Sequence, residues 1–295
     1  MKRALILSGG GSRGAFQAGV WKYLQERNWT PDLISGTSIG AVNAAAIVSG
    51  VSAERLVHLW TTQQRTEIYR WQLLKFTAAI IFKRPLRPIL DTGHMRVVIK
   101  KNIDFSALRQ SPMEIIISAV NMLNGRLHLY TNHEIDIDHL VASSAMPIFF
   151  PWQYINGEPY WDGGVMANSP LFAALKKGVE EVVVVLLSPV GHLRLPFPRT
   201  LLEGLELVFE HFLNGSYQTT LSAIHLNAGA DRRNFEAFGA GGNQGNSVDM
   251  VPRIRVVAPS RMLGFRSLLS FSTQQARQLV DEGYRNARDQ LQLPS

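Results

Sequence analysis

Gly36-Thr37-Ser38-Ile39-Gly40 decides how the rest of the chain is read. Its pattern is Gly-x-Ser-x-Gly. The apolar run Leu33-Ile34 before it has strand character. The small-residue run Ala41-Val42-Asn43-Ala44-Ala45-Ala46-Ile47-Val48 after it suits a helix packed closely on a sheet. Strand, tight turn and helix are the setting of a nucleophile elbow, which holds a serine hydroxyl at a helix N-terminus. The helix dipole there favours developing negative charge. Gly36 and Gly40 lack a Cβ, so backbone passes close on both sides of Ser38. Gly and Ser are also ordinary loop residues, and the pentapeptide alone leaves both readings open.

Upstream, Ala4-Leu5-Ile6-Leu7 reads as a short buried strand, followed by Gly9-Gly10-Gly11-Ser12-Arg13-Gly14. Phe16, Val20, Trp21 and Leu24 then recur at helical spacing, and Asn28 and Pro31 end that helix. The opening is therefore β-loop-α-β, the start of an α/β fold with parallel strands. The spacing Gly9-x-Gly11-x-x-Gly14 also fits a dinucleotide fingerprint. That motif wants an acidic residue at the end of the second strand, whereas Asp32 precedes the strand and Gly-Thr-Ser fills its far end. The reading preferred is an oxyanion hole, in which successive glycines let backbone N–H groups converge on one point. Each such donor is worth about 3 to 4 kcal/mol of barrier. Arg13 either holds this loop open and adds positive charge, or is an ordinary surface ion pair.

At 295 residues the chain has room for a large core, and its composition, 46% hydrophobic and 18% charged, is that of a globular protein. It has no cysteine, which excludes disulfides, thiolate metal sites and cysteine nucleophiles. The net charge of +7 favours an anionic surface. No nucleic-acid motif or dense Lys/Arg block accompanies it, so no nucleic-acid partner is expected. The N-terminal apolar run stops at Ser8, too short for a signal peptide, and no stretch is apolar enough to span a membrane. A cytoplasmic protein is expected.

Farther along, Ser52 is placed to cap a helix carrying Leu56, Leu59 and Trp60. Met113 to Val120 is a strong strand, and Asn124-Gly125 suits a type I′ turn returning through Leu127 to Tyr130. Tyr154-Ile155 and Tyr160-Trp161 suggest a second hairpin, which Pro159 relegates to an edge. Val182 to Leu187 reads as a buried parallel strand, Leu201 to Leu226 as mostly helical, and Ala228 to Ser247 as a long loop. Ile254 to Val257 is a late strand. Ser272 and Gln275 match a capping box ahead of a helix with Ala276, Leu279, Val280, Tyr284, Ala287 and Leu291 on one face. No repeat or linker interrupts this, so one domain over 1–295 is expected.

A serine needs a base. None of the eight histidines, His58, His94, His128, His133, His139, His192, His211 and His225, sits in a glycine-framed or strand-end motif. Asp162 does: it ends a hairpin strand and precedes Gly163-Gly164. A carboxylate placed against the hydroxyl serves directly as general base, although Asp-Gly is also a common turn.

Four ordered blocks carry a resemblance: Gly9 to Gly14, Gly36 to Gly40, Ala142-Ser143-Ser144-Ala145-Met146-Pro147, and Asp162-Gly163-Gly164. Together they resemble the patatin-like phospholipase family over residues 4 to about 175. The resemblance implies an α/β sandwich around a central, mainly parallel sheet, and lipid acyl hydrolysis by a Ser-Asp dyad without histidine. It implies Ser38 as nucleophile, Asp162 as its base, and Gly10, Gly11 and Arg13 as the oxyanion site. Gly9, Gly14, Gly36, Gly40, Gly163 and Gly164 would shape these turns. No metal or cofactor is implied, and the Ala142 to Pro147 block receives no chemistry. The partner is a lipid ester. An acyltransferase with the same dyad, and a non-catalytic module binding an anion or nucleotide, are the alternatives.

Residues 68–90 mix apolar and cationic side chains. Trp71, Leu74, Ala78 and Ile81 share helical spacing, with Gln72 and Lys75 to the other side, and Lys83, Arg84 and Arg87 following. Two readings stand: a face packed on the core, or peripheral contact with an anionic membrane.

Overall fold

The computed structural model describes residues 1–82, 88–190, 197–229 and 252–293. The chain opens with β1 (Arg3–Leu7), a 3-10 turn at Gly11–Gly14, α1 (Ala15–Glu26), β2 (Leu33–Gly36), α2 (Ile39–Val48) and α3 (Ala53–Thr62). β3 (Arg70–Trp71), α4 (Leu73–Ile81), β4 (Leu90–Asp91), α5 (Gly93–Asn102) and α6 (Phe105–Gln110) follow. Then come β5 (Glu114–Asn121), β6 (Leu127–Thr131), α7 (Ile137–Ser143), β7 (Gln153–Ile155), β8 (Glu158–Asp162), α8 (Gly164–Ala167) and α9 (Leu171–Leu175). β9 (Glu181–Val185), α10 (Leu201–Gly229), β10 (Arg253–Val257) and α11 (Thr273–Leu291) complete it.

The main sheet has eight strands in the order β10-β9-β1-β2-β5-β8-β7, with β6 pairing β5 from the other side. β10, β9, β1, β2 and β5 are parallel, and β6, β7 and β8 run antiparallel to their neighbours. Side chains alternate between the two faces. Leu5 and Leu7 of β1 join a core built with α1, α2, α3 and α11. Ala4 and Ile6 join a second core with α9 and Tyr217 of α10. The result is an α/β sandwich around a mostly parallel sheet.

One feature of the pairing assembles the site. Ile116 and Ile117 of β5 pair with both β6 and β2, while Ala119 and Val120 pair with both β6 and β8. β2 and β8 therefore share one edge of β5, end to end. Gly36 ends β2 opposite Ile117, and Asp162 ends β8 opposite Ala119. Two strands running in opposite directions thus point their C-terminal ends at Ser118.

Local expectations meet several corrections. The β7–β8 hairpin does lie at one edge of the sheet, with β7 outermost and β8 paired to β5. Pro159 is tolerated because only Tyr160, Trp161 and Asp162 pair with β5, and its carbonyl accepts from Met122 N–H at 2.9 Å. The turn after β5 is not type I′. Gly125 has φ 66° while Asn124 is not at positive φ, because Asn121 Oδ1 captures the N–H groups of Leu123 and Asn124. Ser272 caps α11 through Gln275 N–H, but the Gln275 side chain turns away to Ser12 Oγ and Ser267 O, so the capping box is half made. Leu74 and Ile81 of α4 are exposed, as is Trp71 of β3, so this face does not pack on the core. Lys83, Arg84 and Arg87, and the loop expected to Ser247 from residue 230 on, lie outside the described residues. Among the described residues no helix is long and apolar enough to cross a membrane.

Candidate active site

Ser38 caps α2 with φ 56° and ψ −128°, a conformation that costs an L-residue about 1 to 3 kcal/mol. Several contacts hold it there. Thr37 N–H donates to Leu7 O at 3.2 Å, and Thr37 Oγ1 shares a hydrogen with Ser118 Oγ at 2.7 Å. Ser38 N–H donates to Ser143 Oγ at 3.0 Å. Gly40 lies against the Leu7 carbonyl, and a Cβ at Gly36 would stand 2.5 Å from Gly40 O. The turn closes only with bare backbone at both positions.

Asp162 is buried, with the Ser38 hydroxyl near enough to its carboxylate to favour the charged form. Its Oδ1 also accepts Gly164 N–H at 2.7 Å, and its own N–H donates to Ala145 O at 3.0 Å. Burial pushes its pKa from 3.8 up to about 7, against the Ser38 hydroxyl and the Gly164 N–H, which favour the charged form. Gly163 lies against Ser118, where a side chain would collide. Among the described residues, no histidine hydrogen-bonds Ser38 or Asp162 and no cluster suited to a metal ion is present.

The glycine loop lies beside this pair. A Cβ at Gly9 would stand 3.0 Å from the Ser38 Cβ. Gly10 and Gly11 have φ 159° and 56°, and Gly11 abuts the Leu268 carbonyl. Among the described residues, no acceptor takes the N–H groups of Gly10 and Gly11. Gly14 packs under Ile39 and Trp60.

Arg13 corrects the sequence reading twice. It is no surface residue, and its guanidinium is not free for an oxyanion. Nε donates to Ser267 Oγ at 2.7 Å, one terminal nitrogen to Leu187 O at 2.9 Å, and the other to Glu210 at 2.6 Å and Gly264 O at 3.1 Å. A fully buried cation needs every donor paired. Here the pairs pin the glycine loop to α10 and to the segment before α11.

Two residues that the sequence reading left without a role join the site. Ser143 supplies the acceptor for Ser38 N–H from within the block that received no chemistry. Asn168 donates to Gly9 O at 3.3 Å and Leu213 O at 2.9 Å, and its own carbonyl accepts Gly9 N–H at 3.0 Å. It stitches the glycine loop to α10. Neither has a local pattern beyond the motifs nearby. A serine hydroxyl beside a buried carboxylate whose pKa is raised by that burial, with unpaired N–H groups alongside, is an arrangement able to transfer acyl groups.

A family model described as patatin-like phospholipase matches residues 5–175. Among curated proteins, a "cGAMP-activated phospholipase" of Escherichia coli (strain TW11681) is 29% identical over 200 residues, covering 59% of this chain and 54% of the relative. Another of that description from Vibrio cholerae is 28% identical over 202 residues, covering 59% of this chain and 56% of the relative. The chain thus spans about half the length of these curated relatives. The crystal structure of VipD from Legionella pneumophila aligns with a TM-score of 0.45 at 15% identity, covering 95% of this chain and 66% of that one.

Proposed function

Because this chain belongs to the patatin-like phospholipase family, we propose that it hydrolyses lipid acyl esters through a Ser38–Asp162 dyad and an acyl-serine intermediate. Ser38 Oγ attacks the ester carbonyl while its proton passes to Asp162. The carbonyl oxygen becomes an oxyanion facing the N–H groups of Gly10 and Gly11. As the intermediate collapses, Asp162 returns the proton to the departing alcohol, leaving the acyl-serine. Water then gives its proton to Asp162 and attacks the acyl carbon. Collapse of the second oxyanion breaks the acyl–Oγ bond, and the proton returns to Ser38.

The observation that carries this reading is the convergence of the strained Ser38, just past the end of β2, and the buried Asp162, at the end of β8, on one point of β5. A base whose pKa lies near 7 is half ionised at neutral pH, where it both accepts and returns a proton readily. The test is a fluorophosphonate probe followed by peptide mass spectrometry. Labelling is expected on Ser38, and loss of labelling in Ser38→Ala together with loss of ester hydrolysis. A wild-type protein that neither labels nor cleaves a short-chain ester would remove the proposal.

A further inference from the structure

α10 presents an apolar stripe to solvent in addition to its buried face. Its residues Leu201, Leu205, Val208 and Phe212 follow an i, i+4, i+7, i+11 spacing and so form one stripe. They are 82%, 55%, 66% and 41% exposed. The opposite face carries Glu210 and Asn214, both buried, with Glu210 held by Arg13 and Asn214 donating to Pro189 O at 2.9 Å. A helix packed on a core normally keeps its apolar residues on the inward side. Here the inward face mixes apolar Leu213 and Tyr217 with the polar Glu210 and Asn214, and a separate apolar stripe faces water.

A chain of aromatic rings runs from the stripe to Phe149, four residues after Ala145. Phe212 lies 5.8 Å from Phe209, Phe209 5.5 Å from Phe265, and Phe265 6.1 Å from Phe149, ring centre to ring centre. Next to Phe149, Ile148 sits at φ 73° with its side chain exposed. Left-handed backbone is a true outlier for a β-branched residue, so strain is spent to hold this side chain in solvent. Ile148 follows closely on Ala145, whose carbonyl holds Asp162. On the other flank Met166 of α8, just past Asp162, is exposed too, and α8 packs on α10.

We propose that the outer stripe of α10, with Ile148 and Met166, is the face on which this protein rests on a lipid bilayer, with Ser38 behind it. This rests on the acyl-ester reading above, and adds the surface by which an insoluble substrate is met. Three observations select a bilayer over a second protein. The stripe carries no charged residue from Leu201 to Phe212 along its crest. Met166 and Ile148 are exposed just past Asp162 and just past the segment whose carbonyl holds it, so a second copy seated there would lie close to the dyad. The net charge of +7 suits an anionic lipid surface. Aliphatic and aromatic side chains of this kind bury themselves at the headgroup boundary.

The triple variant Leu205→Gln/Val208→Gln/Phe212→Gln tests this, by flotation with vesicles of phosphatidylcholine and phosphatidylglycerol. Wild type should float with the vesicles, and the variant should bind at least about ten-fold more weakly. Val97→Gln, an exposed position on α5, should bind as wild type. Hydrolysis of soluble nitrophenyl butyrate should be the same in all three. Wild type that stays with the bulk, or a triple variant that floats equally well, would overturn the proposal. So would a wild-type dimer that the variant turns into a monomer with vesicle binding unchanged, which would give the stripe to a second copy. If flotation behaves as expected but no variant cleaves the soluble ester, the acyl-ester reading fails while the docking face stands.

Discussion

Asp162→Asn should make the protein more stable and inactive at once. Burial raises the native pKa of Asp162 from 3.8 to about 7. At pH 8 the native carboxylate is charged at a cost that the unfolded chain does not bear, a difference of about 4 kcal/mol at most. The sign follows from the direction of the shift. With the folded pKa raised, the contribution of Asp162 to stability is fully present below about pH 4 and is lost as pH rises through about 7. Asparagine cannot ionise, and its carbonyl still accepts the Gly164 N–H. The variant should therefore gain up to roughly 10 °C in Tm at pH 8, with the gain shrinking to about zero near pH 4. The assay is thermal unfolding of both proteins across that range, read as the difference in Tm. A difference that does not change with pH, or a variant less stable at pH 8, would refute the buried-base argument. Ester turnover should fall to background at every pH.

In the wild type, kcat/KM for a soluble ester should fall about ten-fold per pH unit below 7, as the base becomes protonated; a profile flat from pH 5 to 8 would contradict this. Arg13→Met should cost about 3 to 5 kcal/mol in denaturant unfolding, because it strands the buried Glu210 carboxylate. A stable but inactive Arg13→Met protein would instead give Arg13 a direct part in the chemistry. Ser143→Ala leaves the buried Ser38 N–H without its acceptor, so stability should drop by about 1 to 3 kcal/mol. Its kcat should fall more than its KM rises, since the loss loosens the nucleophile rather than substrate contacts; steady-state kinetics on a soluble ester separates the two.

The strand–turn–helix around Ser38 is legible from sequence because its grammar is local: an apolar run, two glycines four positions apart, then small helix formers. β9 and the cap of α11 are legible for the same reason. The partner of β8 is not, since pairing along β5 is decided by which strands compete for its edge, and a proline argues only about one residue's N–H. The burial of Arg13 is likewise invisible locally. Its partners at Leu187, Glu210, Gly264 and Ser267 come from the part of the chain without recognisable motifs. Ser143 is hidden for a different reason, because a hydroxyl accepting a backbone N–H leaves no periodicity. The exposed faces of α4 and α10 are not legible in the sequence, because helical spacing tells which residues share a face and says nothing of what that face meets.

The clamps on the glycine loop also bear on timing during synthesis. Ser38 leaves the ribosome before the residues that fasten the loop beside it, Ser267 and Gln275, whose amide donates to Ser12 Oγ at 3.0 Å. At ordinary elongation rates those fasteners emerge roughly 10 to 50 s after the serine. Until then the nascent chain carries an elbow without a fixed loop, and Asp162 arrives only midway. The order of synthesis thus places the fastening of the glycine loop after both proposed dyad residues.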